Sequence, residues 1–188
     1  MNPTTIGLFF NKLNYFSNKF RIIFFKIKGL QVKKGTRIGK ISCEWPNNLF
    51  VGSDCDIQNN IDFRIGSPFN KECNITIGDR VFIGRCCEFV CSTKIKIGND
   101  CFIASNITII DTGHEYAKHI KIKNQPITTA KITIEDDVWI GTSSVILQGI
   151  TIGKGSIIGA GSVINKSIPE YEIWAGVPAR FIKKEYKT

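Results

Sequence analysis

Residues 134–164 read IEDDVWIGTSSVILQGITIGKGSIIGAGSVI, and this stretch decides the fold. Ile134, Ile140, Ile146, Ile152, Ile158 and Ile164 return every six positions. Glycine follows directly at Ile140, Ile152 and Ile158. A period of six suits neither an α-helix at 3.6 residues per turn nor the two-residue alternation of a plain strand. It suits a coil of short parallel strands, each six-residue unit supplying one flat face and one corner. A β-sandwich would account for the Ile and Val content but not for the strict register.

The register runs upstream less cleanly. Ile77-Gly78, Ile83-Gly84 and Phe89 continue it, two residues intervene, and Ile97-Gly98, Ile103 and Ile109 resume it. Ile38-Gly39, Val51-Gly52, Ile57 and Ile65-Gly66 are the same unit with insertions between. The spacing predicts an all-β domain, a parallel β-helix across 31–188 with its C-terminal tail, whose aliphatic residues stack inward turn upon turn. Val138, Ser144, Ile150, Ser156 and Ser162, each two before an inward residue, suit tight inner corners. The glycines suit positions of positive φ or close backbone approach.

A length of 188 residues and 43% hydrophobic content bound this to one domain with ample core. The seven cysteines (Cys43, Cys55, Cys73, Cys86, Cys87, Cys91 and Cys101) form no CxxC pair. They read as reduced core or corner residues of a cytoplasmic protein. The N-terminus lacks the apolar core and small-residue cleavage site of a signal peptide.

Residues 1–30 form a separate element. Ile6, Phe9, Leu13, Phe16, Phe20, Ile23, Ile27 and Leu30 are spaced alternately three and four, an amphipathic helical stripe. Lys12, Lys19, Arg21, Lys26 and Lys28 accompany it with no acidic residue. The lysines interrupt any run long enough to span a bilayer. Two readings stay open: a helix lying on an anionic membrane surface, or one packing its stripe on the coil or a neighbouring subunit. The charge runs at 118–123 and 183–184 read as solvated faces, and no stacking motif points to nucleic acid.

The one long break in the register holds both histidines. Residues 111–127 read DTGHEYAKHIKIKNQPI, and 111–131 should loop out of the coil carrying His114 and His119. A long excursion from a rigid scaffold is a preferred place for function, and histidine is suited to moving a proton near neutral pH.

The repeats, Asp111-Thr-Gly-His-Glu115, Asp137-Val-Trp-Ile-Gly141, Ile158-Gly-Ala-Gly-Ser-Val-Ile164 and Ala175-Gly-Val-Pro-Ala-Arg180 together resemble the hexapeptide-repeat acyltransferases. The nearest subgroup is the galactoside, maltose and xenobiotic O-acetyltransferases with their surface-polysaccharide relatives. The resemblance covers roughly residues 32–184. It implies a left-handed parallel β-helix, a homotrimer, and acetyl-CoA in a cleft between adjacent coils, with no metal. It makes His114 the general base on an acceptor hydroxyl. The backbone N–H groups near Gly141 and Thr142 would face the developing oxyanion. It places Trp139 beside the acyl and pantetheine region, Thr142 and Ala160 as small residues along the pantetheine arm, and Lys166 and Arg180, with Lys183 as a weaker candidate, near the coenzyme phosphates. Arg85, Glu88 and Ser92 stand where the family's acceptor-binding residues sit without matching them cleanly, so the acceptor stays open.

The implied activity is O-acetyl transfer to a sugar hydroxyl of a bacterial surface glycan or its precursor, by a cytoplasmic enzyme that the N-terminal helix could hold at the membrane's inner face. N-acetyl transfer to an amino sugar nucleotide is the alternative on the same scaffold. A non-catalytic scaffold is a further one, against which His114, Trp139 and the C-terminal motif argue. The zinc carbonic anhydrases share the coil but need a third histidine, which this chain lacks. The helical domain of the serine acetyltransferases has no counterpart here.

Overall fold

A computed structural model describes residues 17–67 and 69–184. Short strands fall into three parallel sheets that the chain visits in strict rotation. The first face carries Gln31–Val32, Leu49–Val51, Asn74–Ile77, Lys94–Ile97, Ile132–Ile134 and Thr151–Ile152. The second carries Arg37–Ile38, Asp56–Ile57, Phe82–Ile83, Phe102–Ile103, Trp139–Ile140, Ile157–Ile158 and Glu172–Gly176. The third carries Ile41–Cys43, Ile61–Ile65, Glu88–Cys91, Thr108–Ile110, Val145–Ile146 and Val163–Ile164. Three faces in rotation make a triangular prism. Ile134 pairs with Ile152, Ile140 with Ile158 and Ile146 with Ile164, each one full turn apart.

The inward residues form one column per face. On the third face Phe63, Phe89, Ile109, Ile146 and Ile164 lie in register, all buried, and the rings of Phe63 and Phe89 stack at 5.0 Å. Where glycine follows an inward residue, it is there for space. A Cβ on Gly141 would lie 2.5 Å from the Ala160 backbone nitrogen, and one on Gly78 2.6 Å from the Gly98 carbonyl carbon. Positive φ falls elsewhere, at the corner residue two positions on: Asp54, Arg80, Asp100, Asp137, Gly155 and Tyr171 at one corner, Asn60, Cys86, Asn106, Ser143 and Gly161 at the next.

The inner corners hold a second ladder. Ser144 Oγ lies 2.8 Å from the Gly141 carbonyl of its own turn and 3.2 Å from the Gly159 carbonyl of the following coil, and Ser156 donates to the Pro169 carbonyl of the following coil at 2.7 Å. Cysteines do the same: the thiols of Cys55, Cys87 and Cys101 lie 3.1, 3.1 and 3.0 Å from the carbonyls of Gly78, Ala104 and Glu135. All seven cysteines are unbridged, and Cys86 alone is exposed.

Both ends of the coil are closed. Residues 17–27 are helical and cross the first coil. The open edge of that coil at Ile38 is satisfied by the helix: the Ile38 N–H donates to Asn18 Oδ1 at 2.9 Å and its carbonyl accepts from Arg21 Nη1 at 2.8 Å. Phe25 and Leu30 are buried, with Ile22 partly so. Solenoids need such caps because a bare terminal coil exposes unpaired backbone. At the other end, Ala179–Lys184 folds back antiparallel on Glu172–Gly176. Residues 1–16, the first half of the sequence-predicted helix, lie outside the described residues.

Candidate active site

The excursion at 111–131 begins and ends on an anchored hairpin. Thr112–His114 pairs antiparallel with Ile127–Thr129, placing Thr112 opposite Thr129 and His114 opposite Ile127. Its root is Asp111, whose side chain is fully buried. One carboxylate oxygen accepts from the backbone N–H of Ser92 at 2.7 Å and from the Thr112 hydroxyl at 3.0 Å. The other accepts from the N–H groups of Thr93 and Lys94 at 2.8 and 3.0 Å and from the Thr93 hydroxyl at 2.9 Å. A buried carboxylate is tolerated only when its lone pairs are filled in this way. Further out, Thr128 and Gln148 join at 3.0 Å. The buried Gln125 amide donates to the carbonyls of Ala117 and Ile120 at 2.9 and 2.7 Å, which holds the tip.

His114 is exposed at the end of this anchored strand. Among the described residues its ring makes no hydrogen bond, and neither Asp111 nor Glu115 holds it. Asp111 fixes the backbone beneath the imidazole rather than the imidazole itself. His119 is exposed toward the loop's outer end.

The other sequence-predicted residues fall on two edges of the prism. Ser92 and Lys166 occupy the corner between the third and first faces, the corner from which the hairpin leaves. The Ser92 hydroxyl is hydrogen-bonded to that of Thr112 at 2.9 Å, so it adjoins the root of the hairpin. Gly141, Thr142 and Ala160 stack at the corner between the second and third faces, as does Arg85 two coils earlier. Arg180 pairs with Ala175 at the C-terminal end of the same edge, and its only described bond is to the Ala179 carbonyl at 2.9 Å. Lys183 pairs with Ile173 farther back on that hairpin. Trp139 stands outward on the second face, 50% exposed, in a column with Phe102 and Phe82, whose rings stack at 4.6 Å. Glu88 lies on the third face, bridged to Arg64 at 3.1 Å.

The hairpin's corner is the vertex opposite the second face, so His114 and Trp139 stand on opposite sides of the prism within one chain. The edge from Thr142 through Ala160 to Gly176 is lined by small residues; a Cβ on Gly161 would meet nothing within 4 Å. A thin chain ending in phosphates fits an open edge of small residues with a guanidinium at its end. Among the described residues no cluster of three His, Cys, Asp or Glu could hold a metal.

Sequence reasoning undervalued Asp111, Gln125 and Gln148. Asp111 and Gln125 carry a legible signal, a polar residue at a position the repeat or loop must bury. Gln148 becomes visible only once the hairpin folds over it.

Two family models match the chain: the bacterial transferase hexapeptide (six repeats) over residues 131–166 and the hexapeptide repeat of succinyl-transferase over 74–110. Galactoside O-acetyltransferase of Escherichia coli K12 is 37% identical over 71% of this chain, which spans 63% of that relative's length. A protein of the same organism named "Putative lipopolysaccharide biosynthesis O-acetyl transferase WbbJ" is 30% identical over 73% of this chain and 80% of its own. Among solved structures, the Bacillus cereus N-acyltransferase AntD, in complex with dTDP and 3-hydroxybutyryl-CoA, superposes with a TM-score of 0.73 at 21% identity, covering 86% of each chain. The hexapeptide-repeat acetyltransferase VCA0836 of Vibrio cholerae, complexed with acetyl-CoA, gives a TM-score of 0.57 at 26% identity over 85% of this chain and 74% of that one. The coil described above is thus the left-handed parallel β-helix of these proteins.

Proposed function

The chain belongs to the hexapeptide-repeat acyltransferases, and on that premise we propose that it transfers acetyl from acetyl-CoA to a hydroxyl of a surface-glycan sugar or its precursor. The observation that carries the reading is the anchored hairpin. Asp111 and its five donors fix the backbone, and the imidazole of His114 is left open to a substrate. His114 removes the proton from the acceptor hydroxyl as that oxygen attacks the thioester carbonyl. The carbon–sulfur bond then breaks and coenzyme A leaves as the thiolate, which takes up the proton. Direct transfer needs no nucleophilic side chain. The buried cysteines suit that scheme: desolvation pushes the thiols of Cys87 and Cys101 up from 9.0 to about 11, away from the reactive thiolate.

Acetyl-CoA lies along the edge of Gly141, Thr142 and Ala160, with Arg180 toward its phosphates and Trp139 beside the acyl end. Since that edge and the His114 corner face apart in one chain, a homotrimer that sets one copy's hairpin against the next copy's edge completes the cleft. Ser92, at the hairpin root, is the strongest of the three acceptor candidates by position; Glu88 is engaged by Arg64, and Arg85 stands on the other edge. The similarity to WbbJ supports a surface-glycan acceptor. The similarity to AntD, an N-acyltransferase also solved with dTDP-4-amino-4,6-dideoxyglucose, supports a second reading, N-acyl transfer to an amino sugar nucleotide.

The test is thiol release from acetyl-CoA across a panel of sugars, sugar nucleotides and lipid-linked glycans. His114→Ala should lower kcat by ~10²–10⁴-fold with coenzyme binding kept, and His119→Ala should cost far less. Near-wild-type turnover by His114→Ala removes the base assignment. Mixing refolded His114→Ala and Trp139→Ala chains should restore turnover through mixed oligomers. No recovery would place both residues in one chain's site.

A further inference from the structure

The helix at residues 17–27 turns its most apolar stripe away from the coil it caps. Asn18, Arg21, Ile22 and Phe25 face the coil. Phe20, Ile23, Phe24 and Ile27 are 71%, 54%, 54% and 82% exposed. At about 100° per residue these two sets occupy opposite sides of the helix. Lys19 and Lys26 lie along one flank of the exposed stripe. Lys28, just past the helix, lies along the other, its Nζ 5.0 Å above the Phe24 ring. A contiguous apolar strip rimmed by cations is what an interfacial helix presents to a bilayer.

The charge distribution says what covers the strip. Residues 1–43 contain nine Lys and Arg and no acidic residue. The other 16 basic residues equal the chain's 16 acidic ones, so the whole net charge of +9 belongs to this segment. Lys34 and Lys40, in the first coil beside the helix, are exposed and add to the same end. A second copy seated helix on helix would bring these like charges together without counter-charge, which disfavours a self-dimer. An anionic lipid surface supplies both the apolar phase and the counter-charge. In the sequence, Phe9, Leu13 and Phe16 continue the three-four spacing of the strip. No helix among the described residues is long and apolar enough to cross a membrane, and an apolar strip flanked by lysines on both sides suits a helix lying in the plane of the surface.

We propose that this helix docks the protein on an anionic bilayer, with Phe20, Ile23, Phe24 and Ile27 at the boundary of headgroups and acyl chains and the lysines at the lipid phosphates. The proposal does not depend on the acyl-transfer reading. Its test is co-sedimentation of full-length protein with phosphatidylcholine vesicles, with and without phosphatidylglycerol, alongside sedimentation mass in solution. Wild type should bind the phosphatidylglycerol vesicles and release at high salt. Lys26→Ala/Lys28→Ala should weaken that binding roughly 30-fold, two surface charges being removed. Phe20→Ser/Ile23→Ser/Ile27→Ser should abolish it with melting temperature and sedimentation mass unchanged, since these side chains face away from the coil. Wild type that ignores the vesicles, or a triple variant that binds as wild type does, overturns the proposal. So does a triple variant of altered mass, because another copy of this chain then covers the strip.

Discussion

The hydroxyls of Thr112 and Ser92 are hydrogen-bonded at 2.9 Å, tying the strand that carries His114 to the corner of the preceding coil. Ser92 in turn gives its backbone N–H to Asp111 at 2.7 Å. The hairpin therefore stands on a closed ring through Asp111, Thr112 and Ser92, and its position is set by the rod and not by its own exposed tip.

Asp111→Asn should break that ring. An amide keeps one accepting oxygen and sets an NH₂ against donors that the carboxylate now serves. The cost should be about 2–4 kcal/mol of stability, because buried N–H groups lose their partners. Turnover should fall while acetyl-CoA affinity holds. Calorimetric melting with limited proteolysis across 115–126 checks the first part, and a split between kcat and coenzyme Kd the second.

Arg180→Ala should show the converse. Its guanidinium is exposed on the C-terminal hairpin with no carboxylate bound among the described residues. If it serves a phosphate, its loss should weaken acetyl-CoA binding by roughly 10–100-fold, the value of a charge-assisted hydrogen bond, and leave kcat at saturation nearly unchanged. Isothermal titration against coenzyme A reads this directly.

Two glycines should behave oppositely. Gly78→Ala would put a Cβ 2.6 Å from the Gly98 backbone, where nothing flexible can give way. Overpacking of this kind costs about 1–3 kcal/mol. Gly161 has a φ of +70° with open space around its Cβ direction, and Asn60 and Asn106 hold the same turn position. Gly161→Asn should cost under about 1 kcal/mol, since asparagine tolerates this region. Urea midpoints of the two variants give the comparison.

The corner thiols predict a pH dependence. Burial raises Cys87 and Cys101 from 9.0 to about 11, so between those values the unfolded chain has lost protons that the folded chain keeps. Fewer bound protons in the unfolded state mean that stability falls as pH rises from about 9 to about 11. Cys87→Ser/Cys101→Ser should fold, because Ser144 and Ser156 make the same corner bond, and should flatten the decline in melting temperature over that window. An unchanged slope would assign the decline to other groups.

The rod was legible because six residues return the chain to an equivalent place, and burial then demands Ile at each return. The corner role of Ser144, Ser156 and Ser162 was readable for the same reason. The cysteines were read as core or corner residues, yet their hydrogen bonds to the next coil were not visible, because a thiol donates only where a carbonyl comes within reach. The glycine rule was half right: close approach governs Gly78 and Gly141, while positive φ passes to residues such as Asp54 and Asn106. The helix stripe is legible, but whether it turns outward or onto the coil is not, since Phe25 and Ile22 supply a second apolar face that the three-four count passes over. For the site, sequence picked out His114 and the C-terminal edge, but their separation on opposite sides of the prism follows only from which corner the loop leaves.

That loop leaves without disturbing the stacking. Ile95, Lys96 and Ile97 pair with Ile132, Thr133 and Ile134 as though residues 111–131 were not there. Selection can therefore lengthen, shorten or rewrite residues 115–126, beyond the Asp111 anchor, without retuning the rod. On the proposed function, a new acceptor becomes reachable by exchanging that tip, while the Asp111 anchor and the edge of Gly141, Thr142 and Ala160 stay as they are.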